Sequence, residues 1–371
     1  MKIDSLLKDT WISVTNVFKP STIMGTYPAN GIMTHVLGLS TWRGLVPNWF
    51  PDKNLCFHSR FMLGSTRRRF IEHLKRHPGD EILVWGYKVH PEILDAAQRN
   101  GNPVVFVEDG FIRSVKLGGA ITPPLSIVAD RQALYFDARS RTDLEDLLNS
   151  YDFGEDPDLV ERARAVMGTV LGAGISKYNS SSGDIVDFDK IAEGRKKILV
   201  VGQVEDDASI RFGCNRQMTN NDLVRIAHEE NPDCLIIYKP HPDVLYGYRS
   251  QMSDPEEVKD IALILREPWQ LSRVFAAVDH VYTMTSLAGF EALMRGLSVT
   301  CLGAPFYSGW GLTDDRQLTG RRNRTLTIEQ VFAICYILYP RYFDPVKREL
   351  ISIEEALGLL QRMIESHRQK T

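Results

Sequence analysis

Residues 198–209 read ILVVGQVEDDAS and residues 234–243 read CLIIYKPHPD, and these two stretches decide the fold. Each is a short apolar run rich in β-branched residues that stops abruptly at polar ones. A strand buried on both faces of a parallel sheet has this form, with its chemistry-bearing groups at the carboxyl end. Ile198–Gly202 and Cys234–Tyr238 are therefore expected strands, and Asn221–Glu230 between them has helical spacing. The alternation continues through a short strand at Ala262–Leu265, a helix at Pro268–Ala277, a strand at His280–Thr283, a helix at Leu287–Arg295 and a strand at Val299–Leu302. Ile328–Leu338 and Ile353–Ser366 close the chain as helices.

Towards the N-terminus the same grammar recurs. Ser65–Arg76 is an expected helix and Glu81–Tyr87 a strand. Pro91–Asn100 is a helix opened by proline, and Pro103–Val107 a strand. Leu125–Val128 and Ala133–Phe136 are expected as short strands, and residues 140–172 as helical. Residues 1–65 are the least legible, because Pro20, Pro28, Pro47 and Pro51 interrupt any period. Ser176–Gly183, SKYNSSSG, is polar and Gly/Ser-rich and is the expected interdomain linker. The expected fold class is α/β: two Rossmann-like doubly wound domains facing a cleft, with parallel sheets. The expected boundaries are 1–180, 181–340 and a helical segment at 341–371.

With 371 residues, 43% hydrophobic and 25% charged, the chain has an ordinary globular balance. Its net charge of −3 gives no overall reason to bind nucleic acid. Cys56, Cys214, Cys234, Cys301 and Cys335 are scattered, with no spacing that suggests zinc, and inert thiols in a reducing compartment are expected. Neither a signal peptide nor a membrane-length apolar run is present, so a cytoplasmic protein that at most visits a membrane surface is expected.

Five polar clusters follow expected strands. Glu108-Asp109-Gly110 offers a general acid or base, with Arg113 as a charge partner; a solvated turn is the plainer alternative. Gln203 to Ser209 concentrates three acids, which suits metal ligation by Glu205 and Asp207, a carboxylate nucleophile, or simply a helix N-terminus. In Lys239-Pro240-His241-Pro242 two prolines aim a cation and an imidazole, a pair suited to phosphate. Thr283 to Glu291 places Thr285 and Ser286 at a helix start, which suits a phosphate, with Glu291 further in; a plain N-cap with Glu291 as a solvated acid is the alternative. Gly303 to Arg316 is a glycine- and aromatic-rich loop that lines a pocket or packs between domains. A basic stretch, Arg60, Arg67, Arg68, Arg69, Lys75, Arg76 and His77, suits an anionic surface or is a solvated helix face.

In order, VEDGFIRS, PPLSIV, GQVEDDASI, IIYKPHPDV, TMTSLAGFEALMRG and PFYSGWGLTDDR resemble the bacterial capsular-polysaccharide β-Kdo transferases of the KpsC type, over roughly residues 80–320. In that family two such modules are often fused, and this chain has length for one. The resemblance implies a GT-B-type glycosyltransferase using CMP-β-Kdo, with retention of configuration and no metal or other cofactor. It implies a lysophosphatidylglycerol- or Kdo-terminated acceptor, capsule assembly proteins as partners, no nucleic acid, and work at the inner face of the cytoplasmic membrane. Residue by residue it implies Asp207 as nucleophile and Glu108 or Asp109 as acid/base. Lys239, His241 and Pro242 would hold the CMP phosphate with Thr285 and Ser286; Glu291 would face the ribose, and Gln203 and Arg113 the Kdo carboxylate. A different nucleotide-sugar donor, or a non-catalytic scaffold of the same fold, are the alternatives.

Overall fold

The structure is a computed structural model that describes residues 31–39, 42–59, 61–114, 123–174, 187–245, 247, 252–267 and 269–368. The linker expected at 176–183, Pro268 and Arg60 lie outside the described residues. The chain divides into two compact units. Unit 1 draws on Met1–Ser114, Gly118–Leu134 and Leu338–Thr371, and unit 2 on Val115–Leu117 and Tyr135–Ile337.

Unit 1 contains a seven-stranded sheet in the order β13-β12-β5-β4-β3-β1-β2. Its strands are β1 (Met33–Leu37), β2 (Asn54–Phe57), β3 (Glu81–Trp85), β4 (Val104–Asp109), β5 (Ser126–Asp130), β12 (Pro340–Asp344) and β13 (Glu349–Ile351). The first four are parallel, and the order of the first five, 2-1-3-4-5, reverses direction between β1 and β3. Helices Gly64–Arg76 and Pro91–Asn100 cover one face through Phe70, Leu74, Ile93 and Ala97. Trp49, Phe50, Trp85 and Phe343 fill the other.

The expected all-parallel sheet needs correction here. Strand β5 runs antiparallel to β4, and β12 antiparallel to both β5 and β13. The Gly110 N–H donates to Ser126 O at 2.9 Å and the Leu125 N–H to Arg113 O at 2.9 Å, so the chain folds back beside its own strand. Such a return needs no crossover helix. Ala133–Phe136 is not a strand. The Asp130 carboxylate accepts from the Gln132 and Ala133 N–H groups and Tyr87 Oη from that of Leu134, which holds the segment as a turn. The boundaries also differ: residues 135 onward pack with unit 2, while 338–371 return to unit 1 and carry a β-hairpin before the helix Ile353–Arg368.

Unit 2 contains a six-stranded, wholly parallel sheet in the order β11-β10-β9-β6-β7-β8. Its strands are β6 (Lys197–Val201), β7 (Leu235–Lys239), β8 (Leu263–Ile264), β9 (His280–Thr283), β10 (Ser298–Cys301) and β11 (Asp314–Asp315). Counted from β6 the order is 3-2-1-4-5-6, doubly wound, with its reversal between β6 and β9. Ile198, Val200, Ile236 and Tyr282 pack against Leu223, Val224 and Ala227 of the helix Asn220–Glu230. Among the described residues no helix is long and apolar enough to cross a membrane.

Candidate active site

In an open doubly wound sheet the crevice at the reversal point is where ligands sit, because the loops leaving two neighbouring strands diverge there. In unit 2 those loops follow β6 and β9, and one residue ties them together. Gln203 is buried; its Oε1 accepts from the Thr285 N–H at 2.8 Å and its Nε2 donates to Thr285 Oγ1 at 3.1 Å. The Gln203 backbone is itself fixed by the Asn220 side chain, at 2.9 Å on both its N–H and its carbonyl. The two loops thus form one rigid rim, and the Gln203 amide is engaged in holding it.

Beyond this pair Ser286 caps the helix Leu287–Leu293, its hydroxyl accepting from the Ala288 N–H at 3.2 Å. Glu291 is buried in that helix at 4% exposure, which removes the solvated-acid alternative. Its charge supports the Arg295 cation, whose pKa burial lowers. The loop after β10 packs within unit 2. Tyr307 Oη donates to Ser286 O at 2.5 Å, Trp310 Nε1 to Phe306 O at 2.9 Å, and Arg322 reaches Glu145 at 2.9 Å. Gly289 is required at this contact: a Cβ there would lie 2.1 Å from Tyr307 Oη.

Lys239 ends β7 with a side chain only 6% exposed. Burial pushes its ammonium down to about 8. No described carboxylate pairs with it, and burial is the one cause of the shift. Gly202, leaving β6, donates to Lys239 O at 2.9 Å, and a Cβ at that position would meet Lys239 O and Pro240 Cα at 3.1 Å. His241 follows, its Nδ1 accepting from the Asp243 N–H at 3.2 Å, and Pro242 opens the short helix Pro242–Leu245.

The acidic run behaves as three separate residues. Glu205 is buried and saturated: it accepts from the Asn220 N–H at 2.6 Å, the Met252 and Ser253 N–H groups at 3.0 Å and Ser253 Oγ at 2.5 Å. It ties the loop after β6 to residues 252–253, and both its oxygens are occupied. Asp206 is exposed. Asp207 caps the helix Ala208–Gly213 through Oδ1, which accepts from the Ser209 N–H at 2.9 Å, so the helix-start alternative holds for it.

In unit 1 Glu108 and Asp109 are the last two residues of β4, not a turn, and so face opposite sides of the sheet. Asp109 Oδ2 accepts from Arg113 Nε at 2.6 Å, and Arg113 also reaches Ser114 Oγ at 3.1 Å. Glu108 Oε1 accepts from the Asp109 N–H at 3.1 Å, and Oε2 lies beside Gly86 at the end of β3. The unit also has a groove that sequence inspection missed: a cavity of 510 Å³ at its own reversal point, lined among others by Gly38, Phe61, Tyr87, Lys88 and His90. Its residues come from three separated segments. Tyr87-Lys88, one residue past the end of β3, was the available signal. In the basic helix Gly64–Arg76, Arg68 and Arg69 are exposed and Arg67 pairs with Glu92 at 2.7 Å, which suits both of its readings.

Residues 80–342 match the family described as capsule polysaccharide biosynthesis protein. The lipopolysaccharide-processing protein LpsZ of Rhizobium meliloti is 48% identical over 262 residues, covering 70% of this chain and 59% of that protein. The capsule polysaccharide modification protein LipA of Neisseria meningitidis serogroup B is 39% identical over 328 residues, 88% of this chain and 45% of that protein. The chain thus spans about half the length of these curated relatives. Among solved structures it is similar to Thermosulfurimonas dismutans KpsC, beta Kdo 2,4 transferase, with a TM-score of 0.74 and 29% identity over 90% of this chain and 98% of that one. The beta Kdo 2,7 transferase of the same organism's KpsC gives a TM-score of 0.70 and 32% identity over 89% and 99%. The chain belongs to the capsule polysaccharide biosynthesis protein family and is of the KpsC type.

Proposed function

We propose that this chain is a GT-B glycosyltransferase that moves Kdo from CMP-β-Kdo to a lysophosphatidylglycerol- or Kdo-terminated acceptor in capsule synthesis, with retention of the β configuration. The observation that carries the donor half of this reading is Lys239, a buried cation at a strand end with a capped helix N-terminus on the same sheet edge. A phosphate supplies the counter-charge that Lys239 lacks, and His241 and Ser286 add donors. The sugar comes from the likeness to the two KpsC transferases.

Retention calls for two inversions. In the first, Asp207 Oδ2 attacks the anomeric carbon while the bond to CMP breaks, and Lys239 stabilises the departing phosphate. In the second, a carboxylate removes the acceptor hydroxyl proton and the new oxygen displaces Asp207. Glu108 takes this acid/base role in preference to Asp109, which is ion-paired with Arg113. Glu291 faces the ribose. Gln203 and Arg113 move from direct Kdo contacts to positioning Thr285 and Asp109. Neither half of this chemistry calls for a metal, and the protein would meet its acceptor at the inner face of the cytoplasmic membrane beside capsule assembly proteins.

The test is incubation with CMP-Kdo and a synthetic Kdo-terminated acceptor, followed by mass spectrometry of product and enzyme. A β-linked Kdo product, with a Kdo adduct on Asp207 in a Glu108→Gln variant, is expected. Full activity of Asp207→Ala removes that residue from the mechanism. Stabilisation of the protein by UDP or GDP rather than CMP in thermal shift overturns the donor.

A further inference from the structure

Away from both sheet edges just described, unit 1 gathers a set of metal-ligating side chains that the transferase chemistry does not use. His35 lies in the middle of β1, His73 in the helix Gly64–Arg76, and Asp80 immediately before β3. Their ligand atoms converge on one point. His35 Nε2 lies 3.2 Å and His73 Nε2 3.0 Å from the same oxygen, Asp80 Oδ2. His35 and Asp80 are almost wholly buried and His73 is partly open to solvent. These three donor atoms lie within 4.8 Å of one another.

The two separations are those of His–Asp hydrogen bonds, and they also suit an ion. A tetrahedral zinc with ligands at about 2.0–2.1 Å has donor–donor edges of roughly 3.3 Å, within a few tenths of the separations here. The atoms behind the ligands are also in place. Asp80 Oδ1 accepts from the Met33 N–H at 3.0 Å, and His35 Nδ1 lies 3.0 Å from His58 Nε2. Ligating carboxylates and imidazoles are usually oriented through their far atoms in this manner. Phe70 walls the set edge-on to His35, at 5.1 Å between ring centres, and His77 stacks on His73 at 4.5 Å.

We propose that His35, His73 and Asp80 form a binding site for a divalent transition metal of the zinc class, which pins β1, the helix Gly64–Arg76 and the start of β3 together. Both imidazoles bind through Nε2, so their ring protons sit on Nδ1, and that of His35 donates to His58 Nε2. Solvent takes the fourth position on the side where His73 is open. Cys56 belongs to an overlapping set with His35 and His58 and is not a ligand of this ion. The role is structural, separate from the sugar chemistry, and sequence spacing gave no hint of it because the ligands come from three elements 38 and 7 residues apart.

The full chain, stripped with a chelator, is titrated with Zn²⁺ and with Co²⁺, and metal content, the visible Co²⁺ spectrum and the melting temperature are recorded. One equivalent per chain, tetrahedral Co²⁺ bands and a raised melting temperature are expected. His73→Gln, at the partly exposed ligand and therefore least disruptive to folding, abolishes binding while the metal-free variant melts near the metal-free parent. His58→Gln weakens binding roughly 10- to 100-fold. Absence of stoichiometric metal in the parent overturns the proposal, as does unchanged binding in His73→Gln. Binding lost in Cys56→Ser but kept in His73→Gln assigns the ion to the other set and also overturns it. Metal content is read without any transferase assay, so failure here leaves the functional reading untouched.

Discussion

At the scale of single residues, burial sets the chemistry of Lys239. Its folded pKa of about 8 lies below the ordinary lysine value of 10.5, so folding expels a proton between those values. The penalty for burying the cation is therefore fully present below pH 8 and fades as pH rises towards 10.5, and metal-free, ligand-free protein gains stability over that window. Lys239→Met is expected to stabilise the unliganded protein at pH 7, by about 3 kcal/mol at most, while weakening CMP binding at least tenfold. Thermal denaturation and calorimetric titration check both halves, and CMP affinity of the parent should fall as pH passes 8. The two acids of β4 separate in the same way. Glu108→Gln should lower kcat by about 10²–10⁴ with CMP affinity kept. Asp109→Asn instead takes one ion-pair partner, 2.6 Å away, from the buried Arg113 and should cost about 1–3 kcal/mol in urea denaturation.

At the scale of elements, the helix Leu287–Leu293 depends on what packs behind its first turn. Gly289→Ala drives a Cβ into Tyr307 Oη and should destabilise the protein by about 1–3 kcal/mol. It should also weaken CMP binding, because Tyr307 holds the carbonyl of Ser286. Adding Tyr307→Phe removes the clashing oxygen and should restore part of the stability; no recovery in the double variant contradicts this account. Strands and helices of this kind were legible from sequence because their signal is local. LVERARAVMGTVL and CLIIY carry their period or their apolar run within one element, and the structure places Pro157–Gly172 and Leu235–Lys239 there. Ala133–Phe136 misled because a short apolar run does not distinguish a strand from a turn pinned by Asp130 and Tyr87.

At the scale of the whole molecule, the last segment is structural for unit 1. Tyr342 pairs with Ser126 and Arg341 with Ile127, and Tyr339 Oη donates to Asp130 at 2.9 Å. A chain ending before Leu338 strips β5 of this neighbour and leaves an exposed, apolar strand edge. Such a truncation is expected to aggregate, as measured by light scattering and soluble yield. A soluble truncation with an unchanged melting temperature contradicts the assignment of Leu338–Thr371 to unit 1.

The sequence by itself determined the α/β class, nearly every strand of unit 2, and the polar runs that sit at the ends of β4, β6, β7 and β9, because strand burial and strand exit are written in consecutive residues. Only the tertiary structure decided what those runs do. It separated Glu205, a saturated brace, from Asp207, a cap, and joined Gln203 to Thr285 across 82 residues. It turned β5 antiparallel, sent the C-terminal hairpin back to unit 1, and brought His35, His73 and Asp80 onto one oxygen atom. These outcomes depend on which distant segments share a sheet edge or a helix face, and no local period in the chain encodes that pairing.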